Sequence, residues 1–211
     1  FNGDNFDHSG LGFGGGGFIN STVGGALPIR SHPVPEGTPG WGAKWKKTAA
    51  HYYSRTFPLT GHGSCLSYSD CYLDLDPTYK DAYGLPLLRL TYDWHDNEKR
   101  MSKYLTERIV EIAKQIPGYS SISAHSIHGH YSIVPYQSTH NTGGAIMGAD
   151  PASSVVNKYL QCWDAHNLFV VGGSAFPQQG SNNPTGTIGA LACWAADAIK
   201  EEYRKKPGML V

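Results

Sequence analysis

The chain has 211 residues with 17 basic and 17 acidic side chains, a formal net charge of zero. That balance removes the electrostatic case for nucleic acid or an anionic membrane surface as principal partner. Hydrophobic residues make up 40%, enough for a core, while 26 glycines and a charged fraction of 16% favour ordered loops and close backbone packing over a helical bundle.

No apolar run approaches the ~18 residues of a membrane helix. The start at Phe1 instead of Met predicts a processed chain or a piece of a longer one. Residues 1–64 are rich in Gly, Pro and aromatics and read as ordered loops and short strands, with a helix around Gly42–Tyr53. Within them, Gly10-Leu11-Gly12-Phe13-Gly14-Gly15 fits the dinucleotide pattern GxGxxG. That chemistry needs a strand before the glycines and a helix after them, to aim amides and a helix dipole at pyrophosphate. Neither flank provides this, so no phosphate role is assigned.

Cys65 and Cys71 lie in one loop-like stretch, as two free thiols or as a small disulfide. None of the four cysteines forms a CxxC pair, so the spacing carries no structural zinc signature and no metal is assigned. Cys71–Asp76 alternates apolar and polar residues until Pro77. Leu88, Leu90, Tyr92 and Trp94 then share one face at period two, the signal of a half-buried strand. Asn97 caps a helix to about Gln115, with Met101, Tyr104, Leu105, Ile109, Ile112 and Ile116 as its apolar stripe. Pro117-Gly118 ends it.

Residues 119–150 are polar and rich in His and Gly. His125, His128 and His130 invite a metal reading. With no helix to gather the rings and no carboxylate nearby in sequence, they read as loop histidines hydrogen-bonded near a cleft. A helix over Ser153–Leu160 follows. Asn167–Val171 reads as a strand buried on both faces, and Gly172-Gly173 allows close approach by a backbone or ligand. After a loop over Ser174–Ser181, Asn182 or Asn183 can cap a long helix with Pro184 in its first turn. Cys193 falls on that helix's apolar face. Two short motifs stand out: His140 followed by Asn141-Thr142-Gly143-Gly144, and Asn182-Asn183-Pro184-Thr185 opening the last helix.

In this order and at this separation, those motifs resemble the glucose–methanol–choline family of flavoprotein oxidoreductases. The run Asn167–Pro177, then Asn183-Pro184-Thr185, then a helix of small residues, looks like that family's closing signature. Leu75-Asp76-Pro77, Lys80-Asp81, Tyr83–Pro86 and Asn2–His8 resemble its bacterial branch acting on gluconate, sugars and polyols. The resemblance implies an α+β chain. Residues 1–160 would be part of a substrate-binding domain, with a mostly antiparallel sheet and flanking helices. Residues 161–211 would be the C-terminal strand and helix that complete a Rossmann-like FAD domain. The N-terminal FAD fingerprint is absent from this chain, which implies a missing FAD-binding portion as its partner, in the same or a separate chain.

The implied activity is FAD-dependent oxidation of a sugar, polyol or aldonate hydroxyl, with hydride passing to flavin N5. By match to the family, His140 is the general base and Asn183 the second catalytic residue. Gly172, Gly173, Ser174, Asn182, Pro184, Thr185 and Asn141 line the cofactor. The same branch implies a periplasmic setting in bacteria, with a cytochrome c or a small accessory subunit as electron-transfer partner. The residues leave a second reading open, a non-catalytic carbohydrate-binding or scaffold module stacking sugars on Trp41, Trp45, Trp94 and Tyr136. A hydrolase is disfavoured, since neither Ser174 nor Ser181 sits in a GxSxG elbow.

Overall fold

The computed structural model describes residues 9–21, 34–133 and 139–210; Asn2–His8 and Tyr136 lie outside the described residues. The fold is α+β, built from three two-stranded sheets and three α-helices. Strand β1 (Gly17–Ser21) pairs antiparallel with β2 (Leu59–Gly63), and helix α2 (Asp96–Lys114) lies against them. A Cβ at Gly17 would stand 2.5 Å from the His62 carbonyl and 3.3 Å from Leu105 Cδ1, so the bare backbone lets helix and sheet close together. Met101, on the helix stripe read from the sequence, is buried there.

Helix α1 (Gly42–Tyr52) forms where expected but buries none of its residues. Strands β4 (Tyr72–Lys80) and β5 (Pro86–Thr91) make a hairpin. Pro77 does not stop β4 as the sequence suggested. The register slips between Leu75 and Lys80, and in that irregular stretch no ladder N–H is needed from a proline. Asp76 steadies it, accepting from the Thr78 and Tyr79 amides at 2.8 Å each. The alternation is as read, with Leu73 opposite Leu90 and Leu75 opposite Leu88, but those four leucines are exposed instead of half-buried. Only Tyr92 and Trp94, past the end of β5, are partly covered, edge-on against Tyr131.

Residues 146–171 hold two corrections. The helix expected over Ser153–Leu160 is a series of turns and isolated bridges, Met147 with Val156 and Val156 with Cys162. Asn157 spends its side-chain oxygen on the amides of Tyr159 and Gln161, an alternative to helical hydrogen bonds. Leu160, fully buried, takes a left-handed φ of 62°, which no helix interior accepts. The strand expected over Asn167–Val171 reduces to one antiparallel bridge, Phe169 with Gln161.

The main apolar core gathers Val156, Leu160, Cys162, Ala175 and Ala195, with Met147, Val170 and Leu191 packed on it. Helix α3 (Thr185–Ala198) supplies Leu191 and Ala195 and runs on into a π-type turn, Ile199–Tyr203. Pro184 occupies its N-cap and no side chain caps it, so neither Asn182 nor Asn183 plays the expected capping part. Cys193 is exposed, not packed, and no disulfide joins Cys65 to Cys71.

Candidate active site

Three stretches far apart in sequence meet beside the start of α3. Residues 143–147 run along 173–175, with Gly143 N donating to Gly173 O at 3.2 Å, Ala145 N to Ser174 O at 2.8 Å and Met147 N to Ala175 O at 2.8 Å. The third stretch is the first turn of α3, where Ile188 N donates to Pro184 O at 2.9 Å. Gly173 is where all three touch. A Cβ there would sit 3.2 Å from Asn141 O and 3.5 Å from both Ile188 Cδ1 and Thr142 Cγ2. A side chain there would sit in tight contact with the Asn141 carbonyl, which would have to give by a few tenths of an ångström, so glycine eases their convergence.

Of the residues singled out from the sequence, Asn141 and Gly173 are therefore in direct proximity. Gly172 precedes a 3-10 turn over Gly173–Ala175 with φ of 139°, a conformation open to glycine, and Ser174 lies within that turn, half-buried. His140 is exposed and holds a left-handed φ of 63° immediately before Asn141. Asn183 and Thr185 are exposed around the half-buried Pro184 at the helix start.

Asn182 belongs to a neighbouring feature, an open polar cleft of about 360 Å³. Gly15–Phe18, Ser64, Gln178 and Gly180–Asn182 line it. The pairing of β3 (Cys65–Leu66) with β6 (Gln178–Gln179) brings Ser64 and Gln178 there. Asn182 N turns back to donate to Gly180 O, and Ser181 has a positive φ of 24°. Ser67 Oγ donates to Pro177 O at 2.7 Å and lies 3.4 Å from a Cβ built on Gly143, so the cleft and the Gly143–Met147 stretch are continuous.

Sequence reasoning missed Ser64 and Gln178, because only a strand pairing more than a hundred residues apart brings them together. The Gly10–Gly15 loop leads into β1. Asn97 and Arg100 engage it, Gly14 N donating to Asn97 Oδ1 at 2.7 Å and Arg100 NH1 to Gly12 O at 3.1 Å, and just past it Gly16 N donates to Ser64 Oγ at 3.0 Å. The last glycine of the loop lines the cleft.

The loop histidines behave as the polar reading expected. His125 pairs with Ser123 Oγ at 3.3 Å, and His128 with Ser126 Oγ at 3.2 Å. His130 forms a close ion pair with Asp93, a carboxylate remote in sequence. That contact first, then the Tyr131 and Trp94 amides, holds the Asp93 carboxyl well below the usual carboxylate range. Arg89 is paired across the hairpin with Asp74, Nε donating to Oδ1 at 2.7 Å. Trp94, offered as a sugar platform, is packed against Tyr92 and Tyr131, whereas Trp41 is 85% exposed.

Beside Gly173, Asn141 is exposed and no side chain caps the start of α3, whose first N–H groups are thereby left for a ligand or water.

Residues 67–192 match the family described as GMC oxidoreductase. Over its full length the chain is 47% identical to the gluconate 2-dehydrogenase flavoprotein of Pantoea cypripedii, of which it covers 34%. It is 33% identical, over 77% of its length, to the 2-methyl-1,2-propanediol dehydrogenase of Mycolicibacterium austroafricanum, covering 28% of that protein. It is 36% identical, over 63% of its length, to the fructose dehydrogenase large subunit of Gluconobacter japonicus, covering 23%. The chain thus spans about a third or less of the length of these relatives. The family match takes in the Asn141, Gly173 and α3 stretches together, and the chain belongs to the GMC oxidoreductases.

Proposed function

We propose that the protein containing this chain oxidises a hydroxyl of a sugar, polyol or sugar acid to a carbonyl, and that this chain contributes the catalytic pair and much of the substrate pocket. The observation that carries the reading is the convergence on Gly173 of Asn141, Thr142 and Ile188 of α3. In the chain His140 directly precedes Asn141, and Asn183 directly precedes the Pro184 that opens α3. FAD, when bound, supplies the acceptor for the hydride that leaves the substrate carbon.

In this reading His140 accepts the hydroxyl proton on an imidazole nitrogen. An imidazole is the side chain most often used to take a proton in such a step. The Asn183 carboxamide donates to the substrate oxygen and holds it in line, without taking the proton. Pro184 has no N–H, and the amides that follow it at the start of α3 favour negative charge gathering on the flavin's pyrimidine edge. Gly172, Gly173 and Ser174 give the backbone close passage beside the cofactor, with Asn141, Asn182 and Thr185 as polar contacts.

The division of roles follows, with 1–160 serving the substrate and 161–211 returning to a Rossmann-like FAD domain. Met147, Val156 and Leu160 share one core with Ala175 and Ala195, so the division is one of role and not of separate folding. The relatives named for gluconate, fructose and a propanediol support a polyhydroxylated substrate. A cytochrome or accessory-subunit acceptor in the bacterial periplasm belongs to the same proposal. The test is to purify the full-length protein and assay bound flavin, then screen gluconate, fructose and polyols with a dye acceptor. Bound FAD reduced by one of these substrates is the expected result. A colourless protein that binds sugar without turnover would replace this reading with the carbohydrate-binding module.

A further inference from the structure

Three different metal-ligating side chains meet beside the turn that follows β3. His95 Nε2 lies 3.1 Å from Asp70 Oδ1 and 3.9 Å from Cys71 Sγ, and the three atoms all fall within 4.8 Å of one another. Asp70 and Cys71 come from the turn between β3 and β4, where Cys71 N donates to Tyr68 O at 3.1 Å. His95 is the N-cap residue of α2.

The cluster is held by its surroundings. The Tyr68 ring stacks on the His95 imidazole with centroids 3.6 Å apart and planes 17° from parallel. Tyr68 is fixed in turn by its hydroxyl, which donates to both carboxylate oxygens of Glu98 at 3.1 and 3.0 Å. Glu98 is buried, and it also accepts from Leu66 N at 3.2 Å and Asn97 Nδ2 at 3.1 Å. A chain of contacts from a buried carboxylate thus orients the imidazole, as outer-shell partners do at metal centres.

Cys71 Sγ also has a weak contact with Asp93 O at 3.8 Å. An imidazole, a sulfur and a carboxylate gathered this closely can ligate one divalent ion together, the sulfur as thiolate. Bond lengths of about 2.3 Å to sulfur and 2.0–2.2 Å to nitrogen and oxygen set tetrahedral ligand separations of roughly 3.3–3.6 Å. The observed 3.1 and 3.9 Å bracket that range, and all three atoms lie within 4.8 Å of one another, so the exposed Asp70 would have to swing in to complete the geometry. The thiolate and imidazole select a zinc-like ion over magnesium or calcium.

We propose that Asp70, Cys71 and His95 form a zinc-binding site with water as fourth ligand, clipping the β3–β4 turn to the start of α2. The sequence carried no such sign, because His95 stands 24 positions beyond Cys71 and belongs to no recognised spacing. The clip is separate from the redox chemistry proposed above. The same turn reaches Pro177 through Ser67, so the ion would steady one wall of the cleft.

The test uses the full-length protein, stripped with chelator and titrated with Zn²⁺ by calorimetry and with Co²⁺ by absorption. The wild type should bind one ion that Cys71→Ser and Asp70→Asn do not bind equally, and its Co²⁺ form should show a thiolate charge-transfer band that is lost in Cys71→Ser. Tyr68→Leu, which removes the stacked ring, should weaken Zn²⁺ binding by about 10–100-fold. Asp70 is exposed, so Asp70→Asn keeps the fold intact and isolates the ligand effect. Ions held elsewhere in the longer protein are common to every variant and cancel in the comparison. The site is refuted if no thiolate band forms, or if Zn²⁺ stoichiometry and affinity are the same in the wild type, Cys71→Ser and Asp70→Asn. Flavin reduction measured in parallel separates the two proposals, since it does not depend on the ion being bound.

Discussion

At the scale of single residues, the proposed chemistry rests on His140 and Asn183, and their substitutions should differ in kind. His140→Ala in the full-length protein should slow flavin reduction by ~10²–10⁴-fold with FAD still bound, the usual worth of a positioned base. Stopped-flow reduction at the normal rate would remove His140 from the role. Asn183 makes no capping hydrogen bond, so Asn183→Ala should leave the melting temperature nearly unchanged. Loss of a donor to the reacting oxygen should lower kcat by roughly 10²-fold; a collapse in melting temperature with normal turnover would make Asn183 a structural residue. A third residue carries a pH effect. Asp93 is held below its unfolded value of ~3.9 by His130 and two amides, so its stabilisation is present above that value and is lost as pH falls through its lower folded value. Asp93→Asn should therefore lower the melting temperature at neutral pH and flatten its decline on acidification, as thermal scans across a pH series would show. The candidate residues were legible from short motifs. Asp93 was not, because its partner His130 is brought to it only by the fold.

Elements were legible where the pattern is local and long. The stripe of α2 and the small-residue helix α3 appear where their period placed them, as does the strand bearing Leu88 and Leu90, but the caps do not: His95, not Asn97, is the N-cap of α2, and Pro184 that of α3. The turns at 153–160 misled, since an Asn side chain competing for backbone amides and a buried left-handed Leu leave no mark on apolar periodicity. The same region shows what an irregular segment can do. Gln161 Nε2 donates to His166 O at 2.6 Å and Gly208 O at 2.8 Å, while its oxygen accepts from Leu210 N at 2.7 Å. Asn157 Nδ2 adds a bond to Leu210 O at 2.8 Å. Two buried amides thus strap the end of the described chain onto the core. Gln161→Leu would leave these buried backbone groups unpaired at a cost of about 1–3 kcal/mol each. The expected result is a clear loss of melting temperature together with faster hydrogen exchange at the Leu210 amide; unchanged exchange there would mean that the strap contributes little.

Across the molecule, apolar surface is distributed unevenly. The core around Val156 and Ala195 is closed, but the hairpin leaves Leu73, Leu75, Leu88 and Leu90 uncovered on one face, and Trp194 of α3 is 54% exposed. Leu88 is 69% exposed, so Leu88→Lys in this chain should change stability by no more than about 0.5 kcal/mol. It should also reduce self-association at high concentration by breaking the exposed apolar patch. Light scattering and thermal melts on the same samples check both; a large destabilisation would show that the leucine is buried in solution.

By itself, the sequence determined the family and the α+β class and put forward candidates for the chemistry, because each of these is written in short motifs or in periodicity along one segment. Tertiary structure decided what those residues face. It set Gly173 between Asn141 and α3, built the cleft from β3 and β6, and gathered Asp70, Cys71 and His95. Those relations depend on contacts between segments tens of residues apart, and no local pattern encodes which distant backbone will arrive at a given side chain.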